Sequence, residues 1–153
     1  MKKNGTAYYK GVFTPINPQK YRGDHTNIVY RSSWEKKVMI WLDKNPSIVS
    51  WSSEEIIIPY KSPVDNRNHR YFVDFYLQVR THDGKLKSYL WEIKPKKQAT
   101  EPVKKKRITK QYINEVVTWG VNQAKWKAAT EFAKDRGWEF QVITEDHLNF
   151  WDK

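Results

Sequence analysis

Two runs of alternating apolar and polar residues, joined by a short turn sequence, constrain the fold of this chain most strongly. The runs cover residues 71–79 and 86–94, and His82-Asp83-Gly84 lies between them. Alternation with a period of two is typical of β-strands that bury one face. A short loop containing glycine is typical of the connection between two antiparallel strands. We therefore predict a β-hairpin over residues 71–94.

The length of the hairpin loop decides which residues face each other. A two-residue loop at Asp83 and Gly84 would place Phe75 opposite Glu92, an apolar side chain against a charged one. A three-residue loop, with Gly84 in the left-handed conformation of a bulge, places Phe75 opposite Trp91 instead. Because a slip of one residue moves every side chain to the other face, the hydrophobic pattern selects the three-residue loop.

In this register the two faces of the hairpin differ sharply. One face carries only apolar side chains, which are Tyr71, Val73, Phe75, Leu77, Val79, Tyr89, Trp91 and Ile93. On the other face Asp74 lies directly opposite Glu92, with side-chain roots roughly 5 Å apart. Two carboxylates in this position repel each other, and a divalent cation is the simplest remedy. Lys94 follows Glu92 by two residues and therefore projects from the same face.

Two carboxylates and a lysine on neighbouring strands can build a metal site that cuts phosphodiesters. The metal lowers the pKa of a bound water, and the lysine orients or deprotonates that water or neutralises charge on the phosphate. The alternative is an ordinary ion pair between Glu92 and Lys94 on a solvated strand. The hairpin register favours the metal site. We therefore predict a nuclease in which Asp74 and Glu92 bind the metal and Lys94 is catalytic.

The composition agrees with a nucleic-acid partner. A chain of 153 residues is long enough for one domain, and its formal net charge of +11 and pI near 9.7 indicate a polyanionic partner. The chain has no cysteine, which excludes a zinc site built on thiolates. Its four histidines are scattered along the sequence, which disfavours a metal site built on histidines. Oxygen ligands favour magnesium or manganese. No apolar run is long enough to span a bilayer, so we expect a soluble protein with no membrane partner.

The N-terminal part of the chain differs in character from the rest. Residues 1–31 are polar and contain several glycines and prolines, so we expect an irregular arm ahead of a single domain over residues 32–153. Either the arm contacts DNA or a partner, or it folds along the domain surface. The residues available for such contacts are Tyr8, Tyr9, Lys10, Lys20, Tyr21 and Arg22.

A first helix is predicted from Ser32 or Ser33, either of which can cap it, to about Asn45. Its buried stripe comprises Trp34, Val38, Trp41 and Leu42. Glu35 lies in the first turn. There it either complements the positive end of the helix or reaches back to the metal site.

A second, longer helix is predicted over residues 112–136, with Gly137 as its stop. Its expected packing stripe comprises Ile113, Val116, Val117, Gly120, Ala124, Ala128 and Phe132. Gln123 and Lys127 share another face of this helix, and we expect both to contact DNA.

Two further strands are predicted at residues 54–60 and 138–143, followed by a tail that contains Phe150 and Trp151. Pro59 ends the first of these strands or leaves it at a sheet edge. The resulting element order is αβββαβ.

A strongly basic stretch begins beside Lys94 and covers residues 95–110. It contains a single acid, Glu101, and its basic residues are Lys96, Lys97, Lys104, Lys105, Lys106, Arg107 and Lys110. Such a run is usually a flexible solvated loop. Its position beside the predicted active-site lysine favours binding of the DNA backbone. The DNA-binding residues expected here are Lys96, Lys97, Lys104, Lys105, Lys106 and Arg107.

The order αβββαβ resembles the restriction-endonuclease-like core, an α/β (α+β) fold with a central mixed sheet flanked by helices. Asp74, Glu92 and Lys94 fall where the PD-(D/E)xK signature of that superfamily requires them, although Val73 replaces the signature proline. Glu35 matches the additional acidic residue that many members supply from the first helix. The resemblance therefore implies that Glu35 is catalytic as well.

Six segments more specifically resemble the head completion nucleases of T-even-type tailed phages. They are residues 17–23, 30–35, 51–55, 70–75, 92–95 and 122–126. This resemblance implies a role after DNA packaging, in which the packaged DNA end is processed before the neck and tail attach. It also implies DNA and the capsid portal or neck proteins as partners, and a location in the host cytoplasm during assembly or in the virion head.

Two other interpretations remain open. The end-cutting endonuclease subunit of bacterial transposases is a more distant resemblance with a similar set of acidic residues. A structural head or neck protein that binds DNA without cutting it would keep the basic stretch. The presence of Asp74, Glu92 and Lys94 together favours an active nuclease.

Overall fold

A four-stranded mixed sheet forms the centre of the computed structural model, which describes residues 10–148. In chain order the elements are β1 (Gly11–Phe13), β2 (Ile28–Tyr30), α1 (Ser33–Lys44), β3 (Ile48–Ser53), β4 (Ile57–Lys61), β5 (Asn68–Phe72), β6 (Phe75–Arg80), β7 (Leu86–Ile93), α2 (Lys110–Asp135), β8 (Glu139–Ile143) and α3 (Glu145–Leu148). Short 3-10 turns occur at Pro18–Lys20 and Lys96–Gln98.

The central sheet has the strand order β3-β6-β7-β8, in which β8 runs parallel to β7 and the other neighbours are antiparallel. One core cluster joins α1 to one face of the sheet, through Val38, Met39 and Leu42. A second cluster joins α2 to the other face, through Ala129 and Ala133. The mixed sheet between helices confirms the predicted restriction-endonuclease-like fold class.

The two main helices begin at side-chain caps. The Ser32 hydroxyl accepts a hydrogen bond from the N–H of Glu35 at 3.1 Å, and the Thr109 hydroxyl accepts one from the N–H of Tyr112 at 3.1 Å. Gly137, with φ of 74°, follows the end of α2. The predicted bounds of both helices are therefore confirmed to within about two residues.

The predicted packing stripe of α2 is wrong for the first half of that helix. Ile113, Val116 and Val117 are 50%, 42% and 46% exposed, whereas Ala129 and Ala133 are buried. A helix of 26 residues is about 39 Å long. The longest strand of the sheet, β7, has 8 residues and is about 26 Å long. The helix is longer than this strand, and its residues that pack in the core cluster lie mainly in its second half.

The predicted register of the long hairpin is confirmed along β6 and β7. Phe75 pairs with Trp91 and Leu77 pairs with Tyr89. Gly84 has a φ of 82°, as the three-residue loop requires.

The prediction of one continuous strand over residues 71–79 is wrong, because the strand is interrupted at Val73 and Asp74. Residues before the break belong to β5, which pairs with β4 in a separate two-stranded sheet, and residues after it belong to β6. The predicted strand over residues 54–60 corresponds to β4, outside the central sheet. The first strand of that sheet is β3, which the prediction missed.

A β-bulge explains the break. The pairing of Ser53 with Phe75 and of Ile57 with Phe72 leaves three residues, 54–56, opposite two, Val73 and Asp74. Hydrogen bonds of 3.1 Å continue through the bulge, from the N–H of Glu54 to Asp74 and from the N–H of Val73 to Ile56. Glu54 takes a left-handed φ of 54° there.

The bulge also changes which way the side chains before it point. Tyr71 and Val73 were predicted on the face that carries Phe75 and Trp91, and this is wrong. Both residues pack in the α2-side cluster with Leu90. A bulge re-aims a strand relative to its continuation, so the simple alternation of faces does not pass through it.

Residues 10–31 fold along the domain. Strands β1 and β2 pair with each other, and Phe13, Tyr21 and Ile28 are buried in the α1-side cluster. The buried carboxylate of Asp43 accepts hydrogen bonds from the N–H groups of residues 16 and 17, at 2.8 and 2.9 Å, which attaches this segment to the end of α1. Tyr8, Tyr9, Phe150 and Trp151 lie outside the described residues. Among residues 10–148, no helix is both long and apolar enough to cross a bilayer.

Candidate active site

Asp74 lies in the bulge, immediately before β6. Its Oδ2 accepts a hydrogen bond of 2.8 Å from the backbone N–H of Ile93 on β7. The predicted strand pairing of Asp74 with Glu92 does not form, because the ladder between β6 and β7 ends at Phe75 and Trp91. The two carboxylates are nevertheless neighbours. Burial, followed by the negative charge of Glu92, raises the pKa of Asp74 well above its usual range.

Glu92 is buried, with 6% of its surface exposed, and its two oxygens have different partners. The hydroxyl of Tyr71 donates a hydrogen bond to Oε1. The Nζ of Lys94 lies 3.6 Å from Oε2. Burial raises the pKa of Glu92, although Tyr71, Lys94 and Lys125 act in the opposite direction. Two groups, Tyr71 and Lys94, thus contact this side chain, and the charge of Lys125 adds to their stabilisation of its ionised form.

The first helix brings Glu35 to the same place. Its Oε1 accepts a hydrogen bond of 2.8 Å from the N–H of Arg31. Burial is the main cause that raises the pKa of Glu35, and the charge of Glu92 adds to it. The charge of Glu35 in turn raises the pKa of Asp74. The structure therefore brings Asp74, Glu92 and Lys94 together, and it places Glu35 near enough for its charge to act on Asp74.

The chemistry of this cluster fits a divalent cation. Among residues 10–148, no group of three or more aspartate, glutamate, histidine or cysteine side chains has the arrangement of a complete metal site. Mg²⁺, however, is usually bound by one or two carboxylates and completes its shell with water and substrate phosphate. Asp74 and Glu92 are such a pair, and within the described part of the chain Oδ1 of Asp74 makes no hydrogen bond. A cation would also remove the repulsion that raises the pKa of Asp74.

Two residues of the site were missed from the sequence. Tyr71 was predicted on the opposite face, and only the bulge turns its hydroxyl toward Glu92. Lys125 comes from α2 and lies over the rings of Tyr60 and Tyr71. The only sequence signal for Lys125 was its place in the segment 122–126.

The residues predicted to bind DNA lie on the protein surface. Lys97, Gln123, Lys127 and residues 104–107 are exposed. Lys96 is exposed too, but it has acidic partners near the end of the chain. Its N–H donates to Glu145 at 2.7 Å, and its Nζ lies 3.1 Å from Asp146.

Comparison with known proteins gives two matches. Residues 45–145 match the family described as TnsA-like endonuclease N terminal. The chain is also 44% identical over 144 residues to the head completion nuclease of Enterobacteria phage T4, and the alignment covers 92% of this chain and 93% of the relative. No solved structure matches the chain significantly.

Proposed function

Because this chain belongs to the TnsA-like endonuclease family and is a close relative of the T4 head completion nuclease, we propose that it is a metal-dependent deoxyribonuclease that acts in phage head completion. One observation carries the proposal. The carboxylates of Asp74 in the bulge and Glu92 on β7 are neighbours beside Lys94, and the charge of Glu35 from α1 acts on Asp74. Family membership supports the assignment as an endonuclease, and these residues support metal-dependent cleavage of a phosphodiester.

Asp74 and Glu92 hold the metal ion, which is magnesium or manganese. When bound, that ion supplies the positive charge that activates the attacking water and neutralises the phosphate. Tyr71 and the N–H of Ile93 orient the two carboxylates, so their positions do not depend on flexible side chains alone.

Lys94 and Glu35 act beside the metal ligands. The ammonium group of Lys94 lies on the Oε2 side of Glu92 and is 27% exposed, so it can move toward a phosphate oxygen. The pKa of Glu35 is raised by burial, which suits a group that accepts a proton from the attacking water.

The basic surface holds the DNA. Lys97, Lys127 and the exposed residues 104–107 contact backbone phosphates, and Gln123 adds an uncharged contact on α2. Lys96 contributes less, because Glu145 and Asp146 already engage it. These contacts carry no sequence information, so binding is expected to be independent of base sequence.

The biological role is taken from the likeness to the phage relative. A match of 44% identity over nearly the whole of both chains supports a role in head completion. We propose that this role is the processing of the packaged DNA end before neck and tail attachment. The partners are then DNA and the portal or neck proteins of the capsid, and the protein works in the host cell during assembly.

A cleavage assay tests the enzymatic part of this proposal. Purified protein is incubated with magnesium or manganese and with linear, circular, nicked and branched DNA. Wild-type protein is expected to cut at least one of these substrates, and a chelator should stop the reaction. Asp74→Asn should be inactive, whereas Asp135→Asn, an exposed position at the end of α2, should cut like wild type. Full activity in Asp74→Asn would contradict the site assignment.

A further inference from the structure

Lys125 occupies an unusual position for a lysine. It lies on α2, is only partly exposed, and its Nζ is 5.5 Å from the centre of the Tyr71 ring and 5.9 Å from that of the Tyr60 ring. Two aromatic faces therefore hold the ammonium group through cation–π attraction. The rings position the charge while leaving its hydrogen-bond donors unused.

The donors of Lys125 have no acceptor in the part of the chain that the structure describes. Nζ makes no hydrogen bond or close ion pair there, and it is not sealed from solvent. A lysine ammonium has three donors, and taking them partly out of water is costly unless they find a partner. The Lys125 ammonium group is therefore available to donate hydrogen bonds to an acceptor on a bound ligand.

The charge of Lys125 acts on the candidate active site. It lowers the pKa of Glu92, and Tyr71, on which Lys125 rests, donates its hydroxyl to the same carboxylate. Lys94 differs, because it already pairs with Glu92 at 3.6 Å. The two lysines thus act on the same carboxylate. Among residues 10–148, Lys94 pairs with it directly and Lys125 has only aromatic contacts.

The charges in the site indicate what the missing partner is. Asp74, Glu92 and Glu35 carry three negative charges when ionised, against the two positive charges of Lys94 and Lys125. One divalent cation would change the balance to one net positive charge. A single phosphodiester would then make the centre neutral. Without Lys125 the metal-loaded centre would be neutral before DNA binds, and the bound phosphodiester would leave one uncompensated negative charge.

We propose that Lys125 binds a non-bridging oxygen of the DNA phosphate at the carboxylate site, as a second substrate-contacting lysine beside Lys94. This inference rests on the proposed nuclease function. It assigns Lys125 a contact with substrate, distinct from the surface lysines of residues 95–110.

The test compares Lys125→Met, which keeps the apolar stem and removes the charge, with Lys125→Arg, which keeps the charge. Lys134→Met is the matched control, because Lys134 is an exposed lysine in the last turn of the same helix. DNA affinity is measured with calcium, a divalent cation that takes the same oxygen ligands, over a series of salt concentrations, and kcat/KM is measured with manganese. Thermal unfolding checks that each variant is folded, and Lys125→Gln serves as a second neutral variant.

Lys125→Met is expected to make the negative slope of log affinity against log salt shallower by about one unit, since one phosphate contact is lost. It should also lower kcat/KM by roughly 10- to 100-fold. Lys125→Arg should keep most of the salt slope, and Lys134→Met should match wild type in kcat/KM. A folded neutral variant with an unchanged salt slope would overturn the proposal, because a merely structural lysine would alter only the unfolding temperature.

The experiments distinguish failure of the nuclease proposal from failure of the Lys125 assignment. If wild-type protein binds DNA but never cuts it, the nuclease proposal fails, while the salt slope of Lys125→Met still decides whether this residue contacts phosphate. If wild type cuts DNA and both neutral variants keep the full slope and the full kcat/KM, only the assignment of Lys125 fails.

Discussion

The backbone N–H of Ile93 donates a hydrogen bond of 2.8 Å to Oδ2 of Asp74, just beyond the end of the ladder between β6 and β7. In a continuous hairpin this N–H would lie beside a residue of the opposite strand. Beyond the bulge, however, that strand is β5, which pairs with β4 and not with β7. The carboxylate of Asp74 therefore replaces a backbone partner. This arrangement fixes Asp74 against β7, next to Glu92, at the cost of repulsion between two partly buried negative charges.

The first prediction concerns that repulsion. Asp74→Asn keeps a side-chain oxygen for the N–H of Ile93 and removes one charge, so in metal-free buffer near pH 8 the free energy of unfolding should rise by about 1 kcal/mol. Urea denaturation of wild type and variant gives the difference. Asp135→Asn controls for a change in overall charge. A variant that is clearly less stable than wild type would show that the ionised carboxylate stabilises the fold.

The second prediction is the pH dependence of the same difference. The folded-state pKa of Asp74 is raised above its unfolded value, so the folded protein binds the proton more tightly. Stability is therefore gained as the pH falls through the raised pKa and lost as it rises. As the pH falls from about 8 to about 5, the stability of wild type should approach that of Asp74→Asn. The lower end of this range is still above the ordinary carboxyl pKa near 4. A difference that stays constant over this range would contradict the raised pKa.

The sequence allowed the hairpin, its register and the charged face to be predicted because each depends on local rules. A glycine at a left-handed position and the alternation of apolar residues were sufficient to place Phe75 opposite Trp91. The first helix followed from its cap at Ser32 or Ser33, and the end of the second followed from Gly137. The four predicted catalytic residues come together because they lie on, or next to, these elements.

The bulge could not be predicted in the same way. It depends on the pairing of β3 and β4 with β5 and β6, and residues 54–56 contain no glycine to mark a left-handed position. The faces of Tyr71 and Val73 were therefore assigned wrongly. The exposed first half of α2 was missed for a related reason, because an apolar stripe indicates which face is suited to packing but not how far the sheet extends.

The third prediction concerns Tyr71→Phe, which removes the hydroxyl that donates to Glu92 and keeps the ring beneath Lys125. A buried carboxylate that loses a donor should lower the free energy of unfolding by about 1–3 kcal/mol. Binding of manganese, measured by calorimetry, should weaken because Glu92 is no longer held in one orientation.

Tyr76→Phe is the matched control for this experiment. The Tyr76 hydroxyl bonds to the neutral Ser88 hydroxyl at 3.1 Å, on the same sheet. Its loss should affect stability less and leave manganese binding unchanged. Equal manganese affinity in Tyr71→Phe and wild type would remove the orienting role of Tyr71.

The fourth prediction concerns the basic segment. Replacement of Lys104, Lys105, Lys106 and Arg107 by serine should weaken DNA binding uniformly across sequences and flatten its salt dependence, because phosphate contacts release counterions without reading bases. Binding is measured by titration at several salt concentrations. A control variant loses the same number of exposed positive charges elsewhere, at Lys44, Arg80, Lys85 and Lys134. If both variants lose affinity to the same degree, the segment has no specific role and the effect is that of net charge.

The last prediction separates cutting from a purely structural role during assembly. A phage that carries Asp74→Asn in this protein should make and incorporate normal amounts of it, because the substitution is nearly isosteric and keeps the acceptor for Ile93. The neutral amide is a much weaker ligand for magnesium, so cleavage should be lost. DNA-filled heads that cannot become infectious should then accumulate, and electron microscopy of lysates together with plaque counts would detect them. Normal infectivity, with cleavage by the purified variant absent, would mean that the virion needs the body of this protein and not its chemistry.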